Sequence, residues 1–183
     1  MALAVLSLCA PGRATAQQVR PPGMPGDTVV LDPLRQSYKA ALIELRDTLS
    51  MLASDASMFR QDLAGVGAET VLSRAETLHG SCMASVALLR EAEPVFDPSR
   101  AANDRVRNES QAFLSEMRSL GRTLSEYCLT GLALEGPGVR ADSLRAWGPY
   151  YLRGVGLAVQ AYYAAAGEFQ KTADFKLQPP LPK

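Results

Sequence analysis

Residues 144–172 read LRAWGPYYLRGVGLAVQAYYAAAGEFQKT, and this stretch decides the fold. Its apolar residues recur every three or four positions, which is the spacing of one face of an α-helix. The residues of that face are Leu144, Trp147, Tyr151, Val155, Ala158, Tyr162, Ala165, Phe169 and Thr172. The opposite face carries arginine, glutamine and lysine, so the helix is amphipathic and too charged to span a membrane. Such a helix needs partner helices of similar length to cover its apolar face.

A first partner helix is predicted to begin at Asp32-Pro33. Asp can accept hydrogen bonds from the first-turn amides, and the missing N–H of Pro costs nothing there because first-turn N–H groups have no acceptor within the helix. Its end is open: the pattern either continues through Phe59 to Gly65 or breaks near Ser54-Asp55. The predicted buried stripe consists of Leu34, Tyr38, Leu42, Leu45, Leu49 and Leu52.

Two further helices complete the set. The second follows the break at Gly65 and Gly67 and ends before Pro94, while the third is predicted to begin at Asp97-Pro98. The predicted buried stripe of the second helix is Leu72, Ala75, His79, Cys82, Val86 and Leu89. That of the third is Val106, Phe113, Met117, Leu120, Leu124 and Tyr127, with Cys128 beside it, and its predicted end is at Gly131 and residues 136–138. In the fourth helix, Gly148-Pro149 predicts a kink or a restart.

These patterns predict an all-α fold: an antiparallel four-helix bundle over residues 32–175. A Pro- and Gly-rich stretch, residues 17–31, precedes it as an extended tether, and a Pro-rich tail, residues 176–183, follows. A chain of 183 residues suits one domain with a core of its own.

Residues 1–16 have the form of a signal peptide, because an apolar run is followed by the small-x-small sequence Ala14-Thr15-Ala16. Cleavage near Ala16 would leave Gln17 as the first residue of a periplasmic or secreted protein. No basic residue precedes the apolar run, so the true translation start is open. A lipoprotein signal through Cys9 fits less well, because a bulky Leu8 precedes the cysteine.

Charge and motifs exclude several classes of function. The 19 basic and 19 acidic residues balance, which argues against nucleic-acid binding. No nucleophile elbow, phosphate-binding glycine loop or covalent haem motif is present, so the sequence predicts no enzyme and no cofactor. No run is apolar and long enough to predict a transmembrane helix.

The sharpest metal candidate is Glu76 with His79, because residues three apart share a helix face and carboxylate-bridged di-iron bundles use that spacing. Such sites need a second Glu-x-x-His, and this chain has one histidine. We therefore predict no metal site and interpret His79 as a core imidazole. A haem bound non-covalently by His79 and a methionine is the remaining way in which the bundle could carry a cofactor.

The aromatic residues Trp147, Tyr150, Tyr151 and Tyr162 are candidates for a pocket or a docking surface. With Gly154 and Gly156 nearby, rings over a glycine-lined gap could wall a pocket for an apolar ligand. We favour the other interpretation: small residues admit a neighbouring helix while the rings fill the end of the bundle.

Two arguments conflict over Cys82 and Cys128. Export leaves these as the only two cysteines, and thiols in an oxidising compartment usually pair. If the second and third helices turn near residues 94–97, however, the two residues differ in height by roughly 28 Å, and a disulfide needs Cα atoms within about 7 Å. We predict the disulfide, on condition that residues 93–104 form a long crossing connection.

The functional expectation is an exported interaction protein of the cell envelope. Its predicted partner is another envelope protein or a membrane-anchored complex, on which it would dock as an extrinsic accessory subunit. The alternative is a carrier of a small ligand, haem or metal in the bundle interior around His79.

Overall fold

The computed structural model describes residues 32–65, 67–130 and 141–177. The predicted signal peptide and tether, the glycines predicted to end the third helix, and residues 178–183 of the tail lie outside these ranges.

Four α-helices form an antiparallel bundle in the described part of the chain, so the predicted fold class is confirmed. The helices are α1 (Pro33–Asp62), α2 (Ala68–Ala92), α3 (Asp104–Thr123) and α4 (Ala141–Thr172). Two short 3₁₀ turns, Glu93–Phe96 and Pro98–Arg100, lie between α2 and α3, and a π-helical segment, Leu124–Thr130, continues α3. The most extensive helix pairings are α1 with α2 and α3 with α4.

Helix α1 begins as its sequence predicts. The Asp32 carboxylate accepts a hydrogen bond from the backbone N–H of Arg35 at 2.9 Å, and Pro33 occupies the first turn. The helix runs unbroken to Asp62, which decides between the two predicted ends. Asp55 starts no new helix, because its carboxylate accepts a hydrogen bond from the Ser81 hydroxyl of α2.

The buried stripe of helix α2 differs from the predicted one at two positions, each shifted by one residue. Val71 and Leu78 are buried where Leu72 and His79 were expected, and His79 lies half-buried at the edge. The two stripes share Ala75, Cys82, Val86 and Leu89, so the spacing alone did not choose between them. The core takes Leu78 because burying the imidazole would cost its hydration.

Helix α3 begins at Asp104, so its predicted start at Asp97-Pro98 is wrong. Asp97 caps only the 3₁₀ turn, accepting from the Ser99 N–H at 2.9 Å, whereas Asn103 accepts from the Val106 N–H at 2.9 Å and caps the helix. Both residues are good N-caps, so each was a possible helix start.

Helix α4 continues through Pro149, so of the two outcomes predicted there, a kink or a restart, the restart does not occur. Its buried face includes Gly148 and Leu152, while Trp147, predicted to be buried, is 62% exposed. A Cβ on Gly148 would lie 3.0 Å from a Leu63 methyl carbon. The missing side chain thus lets α4 approach the end of α1 closely, and with Gly148 on the buried face the neighbouring Trp147 faces outward.

The core at one end of the bundle is built from aromatic rings. Phe96 and Phe113 pack edge to face with centroids 4.9 Å apart, and Tyr38 packs in the same way on Phe169 at 5.0 Å. All are buried. We call this set the buried ring cluster; its members are Tyr38, Phe96, Phe113, Tyr162 and Phe169.

Candidate docking surface

A disulfide joins Cys82 of α2 to Cys128 of the π-helical segment, as predicted. The Cα atoms lie 6.3 Å apart, and both side chains are buried. The helices are antiparallel neighbours, so the error in the opposing geometric argument was to place the turn near residues 94–97. Glu93, at the end of α2, pairs with Arg118 at 2.9 Å. By Arg118, α3 has run roughly 21 Å from its start, and residues 93–103 form the long connection that this offset needs.

The π-helical segment decides which side chain faces Cys82. Leu120, Leu124 and Cys128 are buried at successive steps of four, whereas Tyr127, predicted to be on the stripe, is only half-buried. Steps of four keep to one face when each turn is wider than an α-helical turn. Because of the wide turns, Cys128 lies on the buried face and Tyr127 lies at its edge, the reverse of the prediction.

Three tyrosine rings meet on the surface beside this segment. Tyr127 lies 5.8 Å from Tyr150 and 6.0 Å from Tyr151 between ring centroids, and the last two lie 5.6 Å apart. Tyr150 is 59% exposed, and Trp147 lies one turn before it on α4. We call Tyr127, Trp147, Tyr150 and Tyr151 the exposed ring cluster. The interpretation that these rings fill the end of the bundle is wrong for Trp147 and Tyr150.

Tyr162 does not belong to this cluster, although it was grouped with these rings from the sequence. It is buried against Phe113, with centroids 5.5 Å apart. Burial raises the pKa of its hydroxyl, and the neighbouring Tyr163 raises it further. The structure therefore divides the four predicted aromatic residues between an outer surface and the core.

The gap left by Gly154 is filled rather than open. A Cβ at this position would lie 2.2 Å from two carbon atoms of the Tyr127 ring. Nothing lies within 4 Å of the corresponding point on Gly156. Gly154 and Gly148 thus let neighbours approach closely, as we favoured, and no ligand gap exists between Gly154 and Tyr127.

The outer face of α4 is uncharged over five turns. Its residues are uncharged, some large and some small, and they follow one another every three or four positions. All of them are exposed except Gly154, which is half-buried. We call this face the α4 seam; its residues are Trp147, Tyr150, Gly154, Leu157, Ala161 and Ala164. Sequence reasoning missed it because Trp147 was assigned to the buried face, although the spacing of these six residues was already visible.

The residues weighed for metal lie apart from this surface. Glu76 is exposed and His79 is half-buried on α2. Across residues 32–65, 67–130 and 141–177, no group of three or more His, Cys, Asp or Glu side chains is placed to hold a metal ion.

A groove of about 1010 Å³ runs between α2 and α3. Its walls mix apolar side chains such as Val86 and Leu89 with the charged Arg90, Arg122 and Glu126. His79 is not among its lining residues, so the groove is separate from the predicted carrier site.

None of the described helices has the length and apolarity needed to cross a membrane. Comparison of the chain with protein-family models, with curated proteins and with solved structures found no match.

Proposed function

We propose that this protein is an exported, non-catalytic interaction protein that acts by binding another exported chain or a membrane-anchored complex. The observation that carries the proposal is the α4 seam with the exposed ring cluster beside it. Trp147, Tyr150 and Leu157 are 62%, 59% and 58% exposed and lie on one uncharged helix face. Contiguous exposed apolar surface of this kind marks interaction sites, and Trp and Tyr are enriched among residues that dominate binding.

The disulfide supports the export part of the proposal. Structural disulfides persist in oxidising compartments and are rare in the cytosol, and the Cys82–Cys128 link is buried. Together with the small-x-small sequence before Gln17, it favours the periplasm or the cell exterior.

The shape of the α4 seam favours a helix as the structure that binds it. The exposed small residues Ala161 and Ala164 allow a partner helix to come close, while Trp147 supplies a large ring for contact. An extrinsic subunit docked on a larger envelope complex would use such a face. The carrier alternative loses support, because the His79 imidazole lies at a half-buried edge rather than in an enclosed interior.

Site-specific photo-crosslinking in cells of the native source tests the proposal. A photo-reactive residue in place of Leu157 should give one discrete crosslinked product, whose peptides identify the bound chain. The matched control replaces Met83, an apolar residue on α2 that is also exposed, at 55%.

The product should form at position 157, not at position 83, and should disappear with Trp147→Arg. Absence of any product at position 157, with the protein present at normal levels, overturns the proposed function. Export is checked by the intact mass of the mature chain: a first residue near Gln17 supports it, and a retained Met1 contradicts it.

A further inference from the structure

We propose that the groove between α2 and α3 binds an amphipathic anion, a carboxylate carried on an acyl chain. This site goes beyond the proposed function, because every described residue that lines the groove lies between Val86 and Glu126, and none belongs to the α4 seam. Three observations carry the proposal: how the two helices are linked, which arginines line the groove, and where Gly121 lies.

The two helices are linked at both ends of the groove. The Cys82–Cys128 disulfide joins α2 to the continuation of α3 at one end, and Glu93 pairs with Arg118 at 2.9 Å at the other. The stretch of α2 between these links is roughly 16 Å long. The groove of about 1010 Å³ therefore lies along a pair of helices that are held in a fixed register.

Two arginines face each other across the groove without a partner. Because the helices are antiparallel, Arg90, three residues before Glu93, lies opposite Gly121, three residues after Arg118, and Arg122 follows on α3. Both Arg90 and Arg122 line the groove, and neither makes a hydrogen bond or an ion pair with any residue in the described ranges.

The charges that line the groove favour an anion. Its described lining residues include three arginines and two glutamates, and one of the glutamates, Glu93, is already paired with Arg118. A carboxylate can supply the missing partner, since guanidinium groups bind it through two parallel hydrogen bonds. Charge complementarity therefore identifies the head of the ligand.

The floor of the groove is apolar. Val86, Leu89 and Met117 line it and are at most 6% exposed, whereas Arg90 and Arg122 are exposed at its rim. A small hydrophilic anion would leave this floor uncovered, and a neutral apolar ligand would leave the arginines unpaired. The volume lies at the upper end of the range of about 300–1,000 Å³ that is typical of small-molecule sites, so a single acyl chain fits better than a protein.

Gly121 makes room for the ligand on the α3 side. No described atom lies within 4 Å of the point where its Cβ would be, whereas a Leu63 methyl carbon and the Tyr127 ring occupy the corresponding space at Gly148 and Gly154. Gly80 has open space too, but on the outer surface of α2, while the space at Gly121 belongs to the groove. Glycine weakens a helix, and close approach of a ligand to the backbone is one use that offsets this.

Isothermal titration calorimetry of the purified chain with decanoate, kept below its micelle-forming concentration, tests the proposal. We expect one site per chain with a Kd of about 10 μM to about 1 mM. Decyltrimethylammonium carries a similar chain with the opposite charge, and acetate carries the carboxylate without the chain. Both should bind at least about tenfold more weakly than decanoate.

Arg90→Gln and Arg122→Gln should each weaken decanoate binding by about tenfold, because each removes a charged hydrogen-bond donor to the carboxylate. Arg105→Gln is the matched control, since Arg105 is also an exposed arginine of α3 but does not line the groove. It should leave the Kd unchanged.

Gly121→Leu should also weaken binding by about tenfold or more, because the new side chain fills the space beside α3. Gly80→Leu is its matched control and should bind decanoate as the wild type does. Circular dichroism confirms that each variant is folded, as expected where open space receives the added atoms.

Absence of binding at about 5 mM decanoate, which would nearly saturate a site of this affinity, overturns the proposal. Equally tight binding of the ammonium or of acetate also overturns it, because the arginines or the acyl chain would then contribute nothing. Binding that survives the Arg90, Arg122 and Gly121 substitutions refutes this groove as the site. The proposed function is tested independently at Leu157, so either result stands without the other.

Discussion

The two ends of this bundle both gather aromatic residues, yet one end buries its rings, while the other leaves Trp147 and Tyr150 exposed beside the buried Phe59. In the buried ring cluster, Phe96 comes from the connection after α2 and closes over rings from α1, α3 and α4. Phe175, beyond the end of α4, is also buried and lies 6.3 Å from Phe169. In the exposed ring cluster, rings from α4 and the π-helical segment lie side by side on the surface.

The difference shows that covering segments, rather than residue type, decide the fate of a ring. The buried end is held together by ring packing from four segments. The exposed end is tied by the Cys82–Cys128 disulfide, one residue from Tyr127. At that end Trp147 and Tyr150 are left exposed on the surface.

The largest expected effect is from Phe113→Ala, which should lower the free energy of unfolding by about 3–5 kcal/mol. Phe113 contacts Phe96, Tyr162 and Phe169, so its removal opens a cavity among rings that are already packed. Urea unfolding followed by circular dichroism measures the loss.

Tyr150→Ala is the matched change in the exposed ring cluster and should stay within about 0.5 kcal/mol of the wild type. Equal losses for the two variants would mean that the exposed rings also support the fold, and the distinction between the two ends would fail.

The next largest effect is expected from removing the disulfide with Cys82→Ala and Cys128→Ala. The bond closes a loop between positions 46 residues apart, and its removal should cost about 2–4 kcal/mol. Hydrogen exchange should quicken first in the π-helical segment and the first half of α2, because this end has no buried ring cluster to hold it. An equal increase in exchange rate throughout the bundle would contradict the interpretation that each end is stabilised separately.

The smallest effect, and the most pH-dependent, concerns Tyr162. Burial raises the pKa of its hydroxyl, so the folded chain keeps this proton at pH values where the unfolded chain loses it. Unfolding then releases a proton, and the free energy of unfolding falls as the pH rises above about 10. Tyr162→Phe should make that decline shallower.

At neutral pH, Tyr162→Phe should change stability by less than about 1 kcal/mol, because the buried hydroxyl makes no hydrogen bond to any residue in the described ranges. Unfolding curves from pH 8 to 11 measure both effects. Tyr150→Phe, on an exposed ring, is the control; an equal change of slope in both variants would refute the assignment to Tyr162.

The sequence predicted the fold well, because the three- and four-residue spacing identifies a helix even when the buried face is assigned one residue too far along. Asp32 was identified as a cap, and the stripes of α1 and α3 were found nearly complete, since long apolar repeats define a face clearly. The errors arose where one residue of rotation changed the outcome, as at His79 and Trp147. In both places the neighbour that was buried instead, Leu78 or Gly148, became apparent only from the packing of other helices.

The site was harder to predict for the same reason. The disulfide was predicted from an expected oxidising compartment, while its geometry depended on a connection whose length no periodic pattern reveals. The π-helical turns that bring Cys128 inward leave no clear mark in the spacing. The α4 seam was legible in the sequence, yet it became a candidate surface only once its residues were known to be exposed.

The placement of the disulfide also bears on how the chain assembles. The most extensive contacts lie within two helical hairpins, α1 with α2 and α3 with α4, and contacts between neighbours in sequence form quickly. The Cys82–Cys128 bond links one hairpin to the other. Once it has formed, each hairpin meets the other at the high effective concentration of a tethered partner, so docking no longer depends on the long connection alone.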